Sequence, residues 1–177
     1  NRLSTMKQTI IAVICFLCVS SLYIQAQKIN HPSLLYTPQR IQQVKQRMQH
    51  EPKLQEAWGD IKRTADEALQ KKDFNRLDYL SLAYLMTDNK EYADVIKEIL
   101  LKTVEAESWG DVEMMARIPA WRSQLGMAHK SFLSAVGYDA AYNVMSSSER
   151  KKIAEGLKRL AVEPALGDWL LEPTRIH

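Results

Sequence analysis

Residues Trp121 to Leu160 read WRSQLGMAHKSFLSAVGYDAAYNVMSSSERKKIAEGLKRL, and the spacing of apolar residues within them decides the fold. Leu125, Ala128, Phe132, Val136 and Ala140 recur every three or four positions, which puts them on one face of an α-helix of 3.6 residues per turn. Ser146 followed by Glu149 forms a capping box: the serine oxygen accepts a free amide of a new helix, and the glutamate reaches back to the serine amide. Ile153, Leu157 and Leu160 give that second helix its own apolar stripe. A turn this short between two striped helices predicts an antiparallel helical hairpin.

Working outward, the same grammar occurs one pair earlier. Tyr84 to Glu91 places a Tyr-x-Met sequence before a polar cap at Asp88, with glutamate three positions later. Recurrent hairpins predict an all-α protein of stacked pairs, because one hairpin cannot bury its apolar face alone. Thr37-Pro38 opens a helix with a threonine cap and a proline at the first position, followed by Ile41, Val44 and Met48. After Glu51-Pro52 a longer amphipathic helix carries Leu54, Ala57, Trp58, Ile61, Ala65, Ala68 and Leu69, with Trp58 read as a core anchor. Leu77 to Met86 is apolar nearly all round, as suits a helix enclosed by neighbours. Lys90 to Val104 is amphipathic through Tyr92, Ala93, Ile96, Ile99, Leu100 and Val104. Glu163-Pro164 is expected to end the last helix.

Ordinary globular composition, 46% hydrophobic and 25% charged over 177 residues, predicts one core. From Met6 a lysine, an uncharged apolar run from Ile10 to Tyr23 and the small residue Ala26 form the tripartite pattern of a secretory signal. Residues 1–26 are therefore expected to be a pre-sequence and signal peptide, and 27–177 the mature chain. Export to the periplasm or cell surface is expected in turn, with no membrane span after cleavage. Both cysteines, Cys15 and Cys18, lie inside the apolar run, so the mature chain has neither disulfide nor thiol chemistry to offer. Its 22 basic residues against 21 acidic ones leave a net charge of about +1, with no strong field for nucleic acid.

The four histidines, His31, His50, His129 and His177, form no metal-ligand spacing. No metal and no cofactor is expected. No Gly-x-Ser-x-Gly, P-loop or dinucleotide motif occurs, and Asp60, Asp66, Glu67, Glu98, Glu149 and Glu155 fall on wet faces or caps. Two irregular segments stand apart. One runs from Ala106 to Trp121 and leads into Arg122; the other is Gly167-Asp168-Trp169-Leu170-Leu171-Glu172-Pro173. Tryptophans stack on sugar faces, and the guanidinium fork pairs with carboxylate or sulfate, so this is the composition of a carbohydrate cleft. The alternative is structural, with the tryptophans plugging the helical layer and the arginines capping carbonyls or pairing with Asp111 or Glu113.

His31-Pro32-Ser33-Leu34-Leu35-Tyr36-Thr37, Leu82-Ala83-Tyr84-Leu85-Met86-Thr87, Tyr138-Asp139-Ala140-Ala141-Tyr142, and Asp168-Trp169-Leu170 through Arg175-Ile176-His177 together carry a resemblance. In their order the mature chain resembles the N-terminal helical region of heparinase II/III-like polysaccharide lyases. The resemblance implies part of an incomplete α/α-toroid, continued in relatives by β-rich domains, and cleavage of uronic-acid glycans by β-elimination. It places the catalytic groups beyond residue 177, so the chain is expected to be a fragment that is inactive as a lyase by itself. Trp121, Arg122 and His177 are the expected substrate-binding residues, with an acidic polysaccharide as partner. The residues leave open an unsaturated-uronyl hydrolase or other α/α-barrel glycosidase, and a non-catalytic helical glycan-binding protein. Oligomeric state and the identity of the glycan are open as well.

Overall fold

The computed structural model describes residues 29–171. The signal-peptide expectation and His177 lie outside these residues. The chain divides into two compact units at Asn30. The second unit, from His31 onward, is all-α: no strand occurs among the described residues.

Helix α1 (Pro38–Met48) starts where the threonine-proline pair places it, with Thr37 Oγ1 accepting from the Arg40 amide at 3.3 Å. Helix α2 (Pro52–Lys71) buries Ala65 and Ala68 near its C-terminal end, while Trp58 packs on the core part-buried. It ends at Lys72, which adopts a left-handed conformation (φ 51°) and donates its amide to Ala68 O. Helix α3 (Leu77–Thr87) is the enclosed helix expected from its all-round apolarity. Leu77, Leu80, Ser81 and Ala83 are fully buried, and α2, α4 (Lys90–Thr103) and α6 (Leu125–Ala141) all pack against it. In α4 the whole expected stripe is buried, from Tyr92 to Val104. The α3–α4 turn differs in one residue from the sequence expectation. Asp88 is left-handed (φ 58°) and closes α3, so Asn89 takes the cap and accepts the Glu91 amide at 3.1 Å. A residue held in the left-handed C-cap cannot also adopt the extended conformation of an N-cap.

The irregular segment after α4 contains one short helix, α5 (Val112–Met115), capped by Asp111. Helix α6 begins at Leu125, so Trp121 and Arg122 precede it. Its buried face keeps only the C-terminal part of the expected stripe. Val136 and Ala140 are buried as expected, but Leu125 is 90% exposed, Phe132 53% exposed and Ala128 exposed, and the face is completed by Met127, Leu133, Ser134, Gly137 and Ala141. Small residues win there because α3 and α4 lie very close: a Cβ on Gly137 would meet Ile96 at 3.3 Å and Leu77 at 3.4 Å. Dispersion between closely approaching backbones outweighs the pattern of large apolar side chains.

Helix α7 (Ser147–Leu157) carries the expected capping box, with both halves formed. Although α6 and α7 are consecutive, α6 makes its most extensive packing with α3 and α4, and α7 also reaches back to α4. At that contact Gly156 leaves no room for a side chain, since a Cβ would lie 2.4 Å from Val104 Cβ. The helix does not end at Glu163-Pro164. It widens into a π-helical turn (Lys158–Val162), resumes as α8 (Glu163–Leu166) and widens again at Gly167–Leu171. The wide turn shifts the hydrogen-bond register so that Pro164 falls in a first turn, where a missing amide is tolerated.

Candidate functional site

The two irregular segments singled out by their tryptophans and arginine meet at one buried carboxylate. Asp168, 2% exposed, accepts the backbone amides of Arg122 (2.7 Å) and Ser123 (2.8 Å) and the Ser123 hydroxyl (2.9 Å) on Oδ2. Its Oδ1 accepts Arg122 Nε and pairs with Nη2, both at 3.0 Å. Burial pushes this carboxyl up, but the Ser123 and Arg122 amides and side chains hold it below the usual carboxylate range. The guanidinium lies across Gly167, where a Cβ would come within 3.1 Å of Nη2. Arg122 is thus tied to Asp168, whereas Asp111 caps α5 and accepts the Glu113 and Met114 amides.

Each partner of this pair has an exposed tryptophan as its neighbour in sequence. Trp121, adjacent in sequence to Arg122, is 40% exposed, and Trp169, adjacent to Asp168, is 50% exposed. The Trp121 amide donates to Met114 O at 3.0 Å, which fixes the approach to α6. Trp109, from the same irregular segment, is buried and donates its indole N–H to Thr103 O at 3.3 Å. Of the three tryptophans in the two irregular segments, Trp121 and Trp169 are exposed and Trp109 is an internal plug. His129 is exposed on α6.

A second buried carboxylate, Asp139 on α6, joins residues about a hundred positions apart. It accepts the Ser33 amide (3.0 and 2.8 Å) and the Leu34 amide (2.8 Å), and its Oδ1 lies 2.6 Å from His31 Nδ1. The His31 ring stacks on Tyr142 at 3.8 Å between centroids, Tyr138 meets Tyr142 edge-on at 5.5 Å, and the Arg150 guanidinium lies over the Tyr142 ring at 4.6 Å. Asn143 closes the knot by donating to His31 O at 2.9 Å. Burial pushes Asp139 up, yet the Leu34 amide, His31 and the Ser33 amide bring it below its ordinary value. Two of the motifs that carry the resemblance, His31 to Thr37 and Tyr138 to Tyr142, are thereby brought into one cluster.

The sequence singles out Trp121 and Arg122 but not Asp168, the carboxylate that holds Arg122 and Ser123. The available signal was an ionised residue inside the run Gly-Asp-Trp-Leu-Leu, since an aspartate among apolar residues is rarely buried unless paired. Among the described residues no group of three or more His, Cys, Asp or Glu is placed to hold a metal ion, and no helix is long and apolar enough to cross a membrane. Compared with known proteins, the chain matches no protein-family model and no curated protein.

Proposed function

We propose that the chain is the helical, glycan-facing part of an exported polysaccharide lyase, built on part of an incomplete α/α-toroid, that cleaves uronic-acid glycans by β-elimination. The observation that carries this reading is that Trp121 and Trp169, the sequence neighbours of the paired Arg122 and Asp168, are both exposed. Indole faces complement the C–H faces of sugar rings, and a guanidinium edge complements their acidic groups.

In β-elimination a positive or hydrogen-bonding group neutralises the uronate carboxylate, a base removes the C5 proton, and the leaving oxygen departs. The chain's own part in this is to bind and orient the polymer. Its perturbed tyrosines are held in the protonated form, so little phenolate is present to take the C5 proton: burial, with Asp78 and Tyr79 adding, pushes Tyr36 up to about 12. Tyr84, Tyr92 and Tyr138 also move up, each chiefly through burial. A glycosidase would require one carboxyl held protonated near neutrality, whereas the buried Asp139 and Asp168 are both shifted down.

Affinity electrophoresis of the full chain in gels containing polygalacturonate, alginate, chondroitin sulfate or neutral dextran tests the reading. At least one uronic-acid polymer should retard the chain and dextran should not. Trp121→Ala and Trp169→Ala should each weaken that binding about three- to thirty-fold, the range for losing an aromatic contact of roughly 0.5–2 kcal/mol. Equal mobility in all gels, or tryptophan variants indistinguishable from the parent, would remove the proposed glycan face.

A further inference from the structure

A second site lies away from the tryptophan pair, between the C-terminal end of α2, one side of α4, the Trp109 segment and α6. Its cavity is about 580 Å³, within the size range of small-molecule sites. Four lysines line it, Lys71, Lys72, Lys102 and Lys130, against one carboxylate, Glu98. That carboxylate is already engaged, since both its oxygens lie 2.6–2.7 Å from Lys72 Nζ. Lys71 reaches Glu67 at 4.0 Å. With Lys72 paired to Glu98 and Lys71 to Glu67, Lys102 and Lys130 are the two lysines in excess at the cavity.

The rest of the lining narrows the chemistry. Phe74, Ile99 and the buried Trp109 give an apolar wall, and Trp109 is pinned through its indole N–H to Thr103 O. The Ser108 oxygen accepts the Gly110 amide at 2.9 Å, which leaves its own proton to donate. Lys72, whose ammonium binds Glu98, is the left-handed C-cap of α2 (φ 51°). Donors and positive charge beside apolar lining complement an oxygen-rich anion that also has an apolar face. We propose that this cavity binds a ring-sized, hydroxyl-bearing organic anion: a monosaccharide carrying a sulfate or phosphate ester. The cavity's own lining carries this assignment, which stands whether or not the chain belongs to a lyase.

Isothermal titration calorimetry of the full chain with glucose 6-sulfate, glucose 6-phosphate, glucose and inorganic sulfate tests it. Either ester, or both, should bind at least tenfold more tightly than glucose and than inorganic sulfate, and added salt should weaken the binding. The tighter of the two esters identifies the anion. Lys102→Ala combined with Lys130→Ala should cost tenfold or more in affinity with an unchanged circular dichroism spectrum. Lys53→Ala combined with Lys90→Ala, which lies outside the cavity, should leave affinity intact. Absence of binding by both esters, inorganic sulfate binding as well as they do, or equal losses in the two double variants would each overturn the proposal.

Discussion

Asp139 and Asp168 solve one physical problem in two different settings. Each is a buried carboxylate that grips two successive backbone amides of a distant loop, Ser33 and Leu34 in one case, Arg122 and Ser123 in the other. The difference lies in what surrounds the grip. Around Asp139 the aromatic groups turn their faces to one another, with His31 on Tyr142 and Arg150 over the same ring. Next to Arg122 and Asp168 in sequence, Trp121 and Trp169 remain exposed. Equivalent anchoring therefore goes with a closed aromatic clasp at one place and exposed tryptophans at the other. If the proposed glycan face is right, the contrast separates stability from binding, with the carboxylates holding the loops and the tryptophans exposed beside one of them.

The largest effect should come from removing either carboxylate. Asp139→Ala and Asp168→Ala each strand buried amides, and each should lower unfolding free energy by roughly 3 kcal/mol, the upper end for hydrogen bonds to a charged group. The two losses should add, since the sites share no partner. Urea denaturation of both single variants and the double variant measures this, and a loss under about 1 kcal/mol at either site would show that its loop is held by something else.

Acid should act through the same pair. Both carboxyls have folded pKa values below their unfolded ones, so the unfolded chain takes up protons first as pH falls. Their stabilisation is complete above the unfolded value of about 3.9 and is lost as pH drops through the folded values. Thermal midpoints should hold steady from neutrality to about pH 5 and then fall. Asp139→Asn and Asp168→Asn should each flatten that fall, and a variant with the parent's full pH dependence would detach its carboxylate from acid sensitivity.

The smallest effect distinguishes the open corner from the clasp. Gly167→Ala introduces a Cβ against the far end of the Arg122 side chain, which can shift. It should cost under about 1 kcal/mol, below the usual penalty of overpacking a rigid neighbour, while altering glycan retention on gels. Gly156→Ala meets Val104 next to the backbone instead and provides the comparison of about 1–3 kcal/mol. If Gly167→Ala proves the more destabilising of the two, the corner is as rigid as the core.

Much of the scaffold was legible because it is local. The Ser146–Glu149 box, the Thr37-Pro38 start and the α4 stripe depend on residues within one or two turns, and each formed as its chemistry dictates. The face of α6 was less so, because Ser134, Gly137 and Ala141 are buried by virtue of being small, a property that apolar periodicity does not register. The site was least legible. Asp139 and Ser33 are separated by 106 residues, and Asp168 and Arg122 by 46, and nothing in either segment names its partner. The lysine cavity likewise draws on separate helices whose cations look, one at a time, like ordinary wet faces.

The wide turn at Lys158–Val162 has a further consequence for how this corner can change. A π-helical turn holds one residue more than an α-turn, and one residue corresponds to about 100° of rotation about the helix axis. The direction in which Asp168 points is therefore set by a count: Ile153 fixes the phase of α7 on the core, and the extra residue advances everything after it. Deleting a single residue between 158 and 162 would let the turn relax to α and swing Asp168 by about that angle away from the Arg122 amide, with α7 itself untouched. The segment is a phase adjuster, through which an insertion or deletion of one residue could disconnect or re-aim the tryptophan corner without rebuilding the bundle.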